Sequence, residues 1–140
     1  MSKKKHRKHG SLRVSWDGQA IAGVDRVSPL VRDVEVIWAR PGGSPGSARS
    51  FPGRITWDPV TLERPVGGDT AFEDWMGSLG TGGWRKDVTV EVLDDDGGVL
   101  LAYRIHSCWP SDYQVALLEP GTRAAAVERL RLENDGWERA

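Results

Sequence analysis

The stretch WRKDVTVEVLDDDGGVLLAYRIHSCWPSDY, residues 84–113, decides the fold class. Val88, Val90 and Val92 alternate with Thr89 and Glu91, the period-two pattern of a half-buried strand. The run Asp94-Asp95-Asp96-Gly97-Gly98 turns the chain, and a second strand returns from Val99 to Trp109, where Pro110 is expected to stop it. This is an antiparallel hairpin.

Working outward, the same grammar recurs. Leu12, Val14 and Trp16 alternate with Arg13 and Ser15, and Asp17-Gly18 follows at once. Asp-Gly between two such segments signals a two-residue hairpin turn, because both central residues need positive φ. The return strand runs from Gln19 to Val24. Val34, Val36 and Trp38 mark another strand, followed by ARPGGSPGSARSFPG (residues 39–53), which reads as a long loop. A strand pattern resumes from Arg54 to Leu62, broken at Asp58-Pro59. A last strand is expected from about Ala125 to Leu132.

One segment has helical period. In GDTAFEDWMGSLG (residues 68–80), Phe72, Trp75, Met76 and Leu79 form a single apolar stripe, expected to dock on a sheet. Thr70 and Glu73 have capping-box spacing, and Gly80 is placed to end the helix. So short a helix does not stand alone in water. The sum is six or seven strands and one helix: α+β, mostly antiparallel β.

Length and composition agree with one small domain. The chain has 140 residues, with 17 glycines and 8 prolines, which favours many turns. The formal net charge of −1 hides an asymmetry. Residues 1–10, MSKKKHRKHG, hold five cations and no acid and read as a flexible basic arm; residues 11–140 form the domain. Five of the 19 cations sit in the arm, so the domain keeps 14 against all 20 acids. An acidic body gives little support to a nucleic-acid surface. A single cysteine, Cys108, excludes an internal disulfide and points to the reducing cytoplasm. No apolar run is long enough for a membrane span, so no membrane anchor is expected, and the basic start lacks the apolar segment of a secretory signal.

Catalytic and metal chemistry find little footing. Aligned as an EF-hand on Gly97, the acidic turn puts Val92 at position 1 and Tyr103 at position 12, and neither is a ligand. His106 and Cys108 are expected two apart on one strand face, a possible metal pair, but a zinc site needs three or four protein ligands. No Gly-x-Ser-x-Gly elbow, P-loop or Gly-x-Gly-x-x-Gly is present. The expectation is a protein with no catalytic residue, no metal and no cofactor, and not an enzyme.

Five blocks in fixed order are more specific: LRVSWDGQAIAGVDRVSPL (12–30), SFPGRITWDPVTLERP (50–65), AFEDWM (71–76), residues 84–113, and AAAVERLRLENDGWE (124–138). Together they resemble the tail tube proteins of contractile phages and contractile injection systems. The motifs that carry the resemblance are Asp17-Gly18 with Ala22-Gly23-Val24 and Val27-Ser28-Pro29-Leu30. They continue through Phe51-Pro52-Gly53, Leu62-Glu63-Arg64, Phe72 with Trp75, the Arg85–Gly97 hairpin and Cys108-Trp109-Pro110. The last is Ala126-Val127-Glu128-Arg129-Leu130-Arg131-Leu132, followed by Gly136. Pro29, Pro65 and Cys108 depart from the usual residues, and the basic arm is an addition.

The resemblance implies two packed β-sheets, a sandwich or open barrel, flanked by one helix. It implies subunits closing into hexameric rings that stack around a lumen conducting cargo. Implied partners are other copies of the chain, a sheath protein, baseplate and tube-terminating proteins, and effector cargo; nucleic acid enters only where a phage genome passes through. Assembly would begin in the cytoplasm and end in a phage tail or tail-like particle. Arg40, Gly42, Gly43, Ser44 and Arg49 become candidates for contact between rings, and deleting residues 42–50 should leave a folded monomer that cannot stack. Thr89, Glu91, Arg129 and Arg131 become candidates for the lumen or the subunit interface. Two alternatives stand beside this reading. One is a tube-initiator paralogue at the baseplate; the other, of a different class, is a small nucleic-acid-binding module that uses the basic arm.

Overall fold

The computed structural model describes residues 10–40, 42 and 46–140. The basic arm up to His9, and Gly43 and Ser44, lie outside the described residues. The strands are β1 (Ser11–Trp16), β2 (Gln19–Ile21), β3 (Arg26–Val27), β4 (Arg32–Ala39), β5 (Arg49–Trp57) and β6 (Val60–Pro65). After the helix α1 (Ala71–Gly77) come β7 (Lys86–Leu93), β8 (Val99–Leu117), β9 (Ala126–Glu133) and β10 (Trp137–Arg139). All pairings are antiparallel.

Strand β8 organises the body. Its first half pairs with β7 on one side and β10 on the other, giving a sheet in the order β2-β1-β7-β8-β10. Its second half pairs with β9, giving the order β8-β9-β6-β3. The two sheets therefore share one long strand. It changes direction at Ser107, whose φ of +51° is rare for a residue with a side chain. Asp87 accepts the Ser107 N–H at 3.0 Å and stabilises the bend.

Pro110 does not stop this strand. β8 continues for 19 residues, with Pro110 opposite Leu132 and a register shift before Asp112. β7 has ended by then, opposite Cys108, so β8 has a neighbour on one side only. A proline is tolerated at such an edge and beside a bulge.

The turns follow residue chemistry. Asp17 and Gly18 have φ of +55° and +73° and join Trp16 to its partner Gln19, a two-residue hairpin turn. In the acidic turn, Asp94 Oδ1 accepts the Asp96 and Gly98 N–H groups at 2.9 and 2.7 Å. The triple aspartate is thus a hairpin tip.

Between the sheets lie Val14, Trp16, Val60, Leu62, Val88, Val90, Ile105, Cys108, Leu130 and Leu132, closed over by Phe72 and Trp75 of α1. The Trp16 ring stands 4.6 Å from Trp75 and 6.2 Å from Phe72, centroid to centroid.

The helix is shorter than its sequence pattern. It spans seven residues, and the Thr70–Glu73 capping box does not form. Thr70 donates its hydroxyl to the Asp74 carboxylate, and Asp69 accepts the Ala71 N–H at 2.9 Å instead. The helix ends at Gly77. Gly80, with φ of +87°, belongs to the turn beyond, and Leu79 is exposed there.

The segment 39–53 also differs from expectation. β5 begins at Arg49, and β4 and β5 form a two-stranded sheet of their own, with Ala39 opposite Arg49 and Trp38 opposite Ser50. Small polar residues and three prolines obscured a strand start that only the pairing with β4 defines.

Candidate functional site

The β4–β5 hairpin is the first feature with no explanation inside the chain. All eight residues of β4 and seven of nine in β5 are exposed. The register places Val34, Val36, Trp38, Pro52 and Ile55 on one face. Trp38 is 68% exposed and Val36 60%. A monomer rarely leaves so continuous an apolar face in water. Arg40 and Gly42 lie at the tip and Arg49 opposite Ala39.

The hairpin is fixed at its root. The Trp57 ring meets Trp137 edge-on at 5.6 Å, and Trp137 meets Tyr103 at 5.7 Å. Gly136 has φ of +124°, and a Cβ there would come within 3.0 Å of the Trp57 ring. Asn134 Nδ2 donates to the Asp58 carbonyl, and the Asp58 N–H donates to the Val31 carbonyl. Trp137 Nε1 is buried with no acceptor among the described residues.

The second feature is a buried ionic cluster that binds the helix to the second sheet. Arg64 and Glu128 face each other across β6 and β9, each almost wholly buried, with Nε to Oε2 at 2.7 Å. The guanidinium also donates to Asp69 at 2.7 Å and to the Ala22 carbonyl at 3.0 Å, and lies over the Phe72 ring at 4.5 Å. Tyr113 donates its hydroxyl to the other Glu128 oxygen at 2.6 Å. Every charge here has a partner, the condition for ions to survive burial. Burial presses the Arg64 pKa down, but its hydrogen bonds to Asp69 and Glu128 and their charges outweigh this, so it stands above the ordinary value. Asp69 is held below the usual carboxylate range by the Arg64 hydrogen bond and the Ala71 N–H. Burial first, then the Glu128 contact, raises the Tyr113 phenol.

Sequence reading missed this cluster. A signal existed: in β6 the inward series is Val60, Leu62, Arg64, and in β9 it is Glu128, Leu130, Leu132. One charge of each sign enters an apolar register, and the two signs are complementary.

The remaining candidates lie on strand faces. Glu91 accepts from Arg13 Nε at 2.6 Å across β1 and β7, and Thr89 pairs with Ser15 and Arg104. Arg129 is held by Glu63 at 2.6 Å and by both Glu119 oxygens at 2.6–2.8 Å, while Arg131 reaches Glu133 at 3.4 Å. These side chains belong to two different sheets, so they do not converge. Phe72 and Trp75 are buried, and Met76 is half-buried.

His106 and Cys108 are not neighbours on one face. The bend at Ser107 separates them: His106 meets Glu138 at 3.0 Å at the surface, and Cys108 is fully buried. Burial, then the charge of Asp87, pushes the Cys108 thiol up to about 12. Among the described residues, no three His, Cys, Asp or Glu side chains are grouped to hold a metal, and no helix is long and apolar enough to cross a membrane.

The open edges complete the inventory. β2, of three residues, and β3, of two, end their sheets. The second half of β8 has β9 on one side only. Unpaired edges invite another strand. Exposed apolar residues and open strand edges are the features that the body leaves uncovered.

Comparison with known proteins places this arrangement. The chain resembles, with a TM-score of 0.78 and 23% identity, a chain of the sheath–tube complex of an extracellular contractile injection system, PVC, in the extended state; the match covers 93% of this chain and 88% of that one. It resembles a chain of the tube-terminating cap of the anti-feeding prophage at TM-score 0.75 and 19% identity, covering 92% and 88%. Hcp1 from Flavobacterium johnsoniae matches at TM-score 0.60 and 13% identity, covering 93% and 94%. At these identities the likeness is one of fold. No curated protein sequence matches. The family described as T4-like virus tail tube protein gp19 matches residues 11–138. That match spans nearly the whole chain, so the chain belongs to the T4-like virus tail tube protein family and is a tail tube subunit.

Proposed function

We propose that this subunit closes into rings of six that stack into the inner tube of a contractile particle, surrounded by a sheath and carrying cargo through its lumen. The β4–β5 hairpin is the observation that carries the reading. It is a two-stranded sheet of its own with an exposed apolar face, and its Trp57 end packs on Trp137. Such a face gains stability only when another copy covers it. A heterologous contact that repeats and closes gives a ring, and stacked rings give a tube. The hairpin tip, including Arg40, Gly42 and Arg49, then meets the adjoining ring. The work is mechanical and needs no reacting group in the subunit. The resemblance of other chains in tube, sheath-bound and cap assemblies supports sheath, baseplate and terminator proteins as partners.

Negative-stain electron microscopy of the purified protein, alone and with its genomic neighbours, tests this. Rings and long stacks are expected. Stacks that stop at one or two rings would move the assignment to a tube initiator. Monodisperse monomers under both conditions would overturn the tube reading and leave salt-dependent nucleic-acid binding by the arm as the next assay. Deleting residues 42–50 should leave the monomer folded and abolish stacking.

A further inference from the structure

We infer that Arg64 is the positioning residue that sets two open strand edges of this subunit relative to each other, an inference that rests on the tube reading above. β2 ends the first sheet and β3 ends the second, and only residues 22–25 separate them in the chain. One short segment, residues 19–27, therefore carries a free edge of both sheets. β1 holds β2 through the Val14–Ile21 pair, and β6 holds β3 through the Arg26–Glu63 and Val27–Leu62 pairs. Neither pairing sets the angle between the two edges. The link between them does.

Arg64 lies against that link. Its Nη1 donates to the Ala22 carbonyl at 3.0 Å, and a Cβ at Gly23 would stand 4.0 Å from the Arg64 Cβ and Cδ. Gly23 turns the chain with φ of +79°, and Val24 sits in the core. The same guanidinium grips Asp69 with both Nη atoms, at 3.2 and 2.7 Å, and Asp69 accepts the Ala71 N–H at the start of α1. Its Nε donates to Glu128 of β9 at 2.7 Å. The helix start borders β2: Ala20, Ile21 and Ala22 share one hollow of about 420 Å³ with Asp69, Thr70 and Ala71. One planar fork thus joins the link, the helix beside the first edge, and the sheet that carries the second.

Stability alone does not call for this arrangement. Val60 and Leu62 precede Arg64 on the inward face of β6, and apolar residues of similar volume often match a buried ion pair in stability. An apolar side chain offers the Ala22 carbonyl no donor. Lysine offers a single point charge, whereas the guanidinium has five donors fixed in one plane and reaches three groups at once. What the fork adds is geometry. Edges held in place before a neighbour arrives lose less freedom when strands add to them, so assembly starts at a lower concentration.

Hydrogen exchange and assembly test the assignment together. In the wild-type monomer, kept below its assembly concentration, the Asp25 and Ser28 N–H groups donate to Glu63 and Thr61 and should be protected like the strands beside them. Exchange there at the rate of an open chain overturns the proposal. Arg64→Met combined with Glu128→Leu should unfold in urea close to wild type. Its amides over residues 20–27 should nevertheless exchange about tenfold faster, and the concentration needed for rings should rise about tenfold or more. Wild-type assembly at recovered stability overturns the proposal, and so does impaired assembly with unchanged exchange over residues 20–27. Arg64→Lys, which keeps a charge opposite Glu128, gives the same two readouts should the double variant not fold, and wild-type exchange with full assembly in it likewise overturns the proposal. Unmodified protein that forms no rings overturns the tube reading, and the role of Arg64 in assembly falls with it.

Discussion

In β6, Val60 and Leu62 are wholly buried and Arg64 is 2% exposed, whereas in β4 Val34, Val36 and Trp38 are 39%, 60% and 68% exposed. Both strands alternate, and both carry large side chains on one face. They differ in what lies opposite. β6 has β9 and β3 as neighbours and α1 packed near its Arg64 end, so even a guanidinium is enclosed there and matched by Glu128 and Asp69. β4 has only β5. Alternation therefore reports that a face is to be covered, without saying whether the cover comes from the same chain.

The largest expected effect lies in the enclosed region. Arg64→Ala leaves Glu128 buried without its counter-ion and should cost about 3–5 kcal/mol. Urea unfolding measures this. Cys108 supplies an independent reading, because a buried thiol with its pKa pushed up to about 12 labels at pH 8 only when the body opens. Replacing both Arg64 and Glu128 with apolar residues should recover most of the loss. If Arg64→Ala unfolds at the wild-type urea concentration, the cluster is not what fixes α1 to the second sheet.

Next comes the joint between the two regions. Gly136→Ala places a Cβ about 3.0 Å from the Trp57 ring, at a φ of +124° that disfavours side chains. Backbone strain of this kind costs about 1–3 kcal/mol. The near-ultraviolet circular dichroism of the Trp57–Trp137–Tyr103 group should change along with stability. A stability loss without a spectral change would place the strain elsewhere.

Acid should act on the enclosed region through Asp69. Its folded-state pKa lies below the unfolded value, because of the Arg64 hydrogen bond and the Ala71 N–H. The stabilisation is present above the unfolded pKa, about 3.9, and is lost as pH falls through the lower folded value. Asp69→Asn should reduce stability at pH 7 and flatten the decline below about pH 4. An unchanged acid limb in the variant would assign that decline to other carboxylates.

Much of this organisation was legible in advance, for reasons that differ by residue. Asp17-Gly18 specifies its turn because two consecutive positive φ angles suit few other pairs. Val88 to Val92 specifies a strand because one face is buried against Ile105 and its neighbours. The Pro110 expectation failed because a proline interrupts a ladder only where its N–H is needed, and β7 has already ended. The helix is shorter than its stripe because it ends at Gly77, where the Ser78 N–H and hydroxyl both donate to the Trp75 carbonyl and turn the chain before Leu79. Arg64 and Glu128 are 64 residues apart, and no local pattern joins them. The hairpin was half seen: β4 alternates clearly, but Arg49–Gly53 reads as loop because its strand character comes from pairing.

The smallest expected effect on the monomer sharpens the comparison most. Trp38→Ser removes an aromatic ring that is 68% exposed. Monomer stability should stay within about 0.5 kcal/mol of wild type, as for other surface substitutions away from special features. Phe72→Ala, by contrast, empties a wholly buried site and should cost about 3–5 kcal/mol. On assembly the order should invert: Trp38→Ser should abolish stacked particles in electron micrographs while the folded monomer persists. If Trp38→Ser instead lowers monomer stability by several kcal/mol, the hairpin is covered by its own body in solution and the contrast between the two regions collapses. If stability and stacking both survive, the apolar face is not where copies meet, and the open edges of β2, β3 and the second half of β8 become the surfaces that carry assembly.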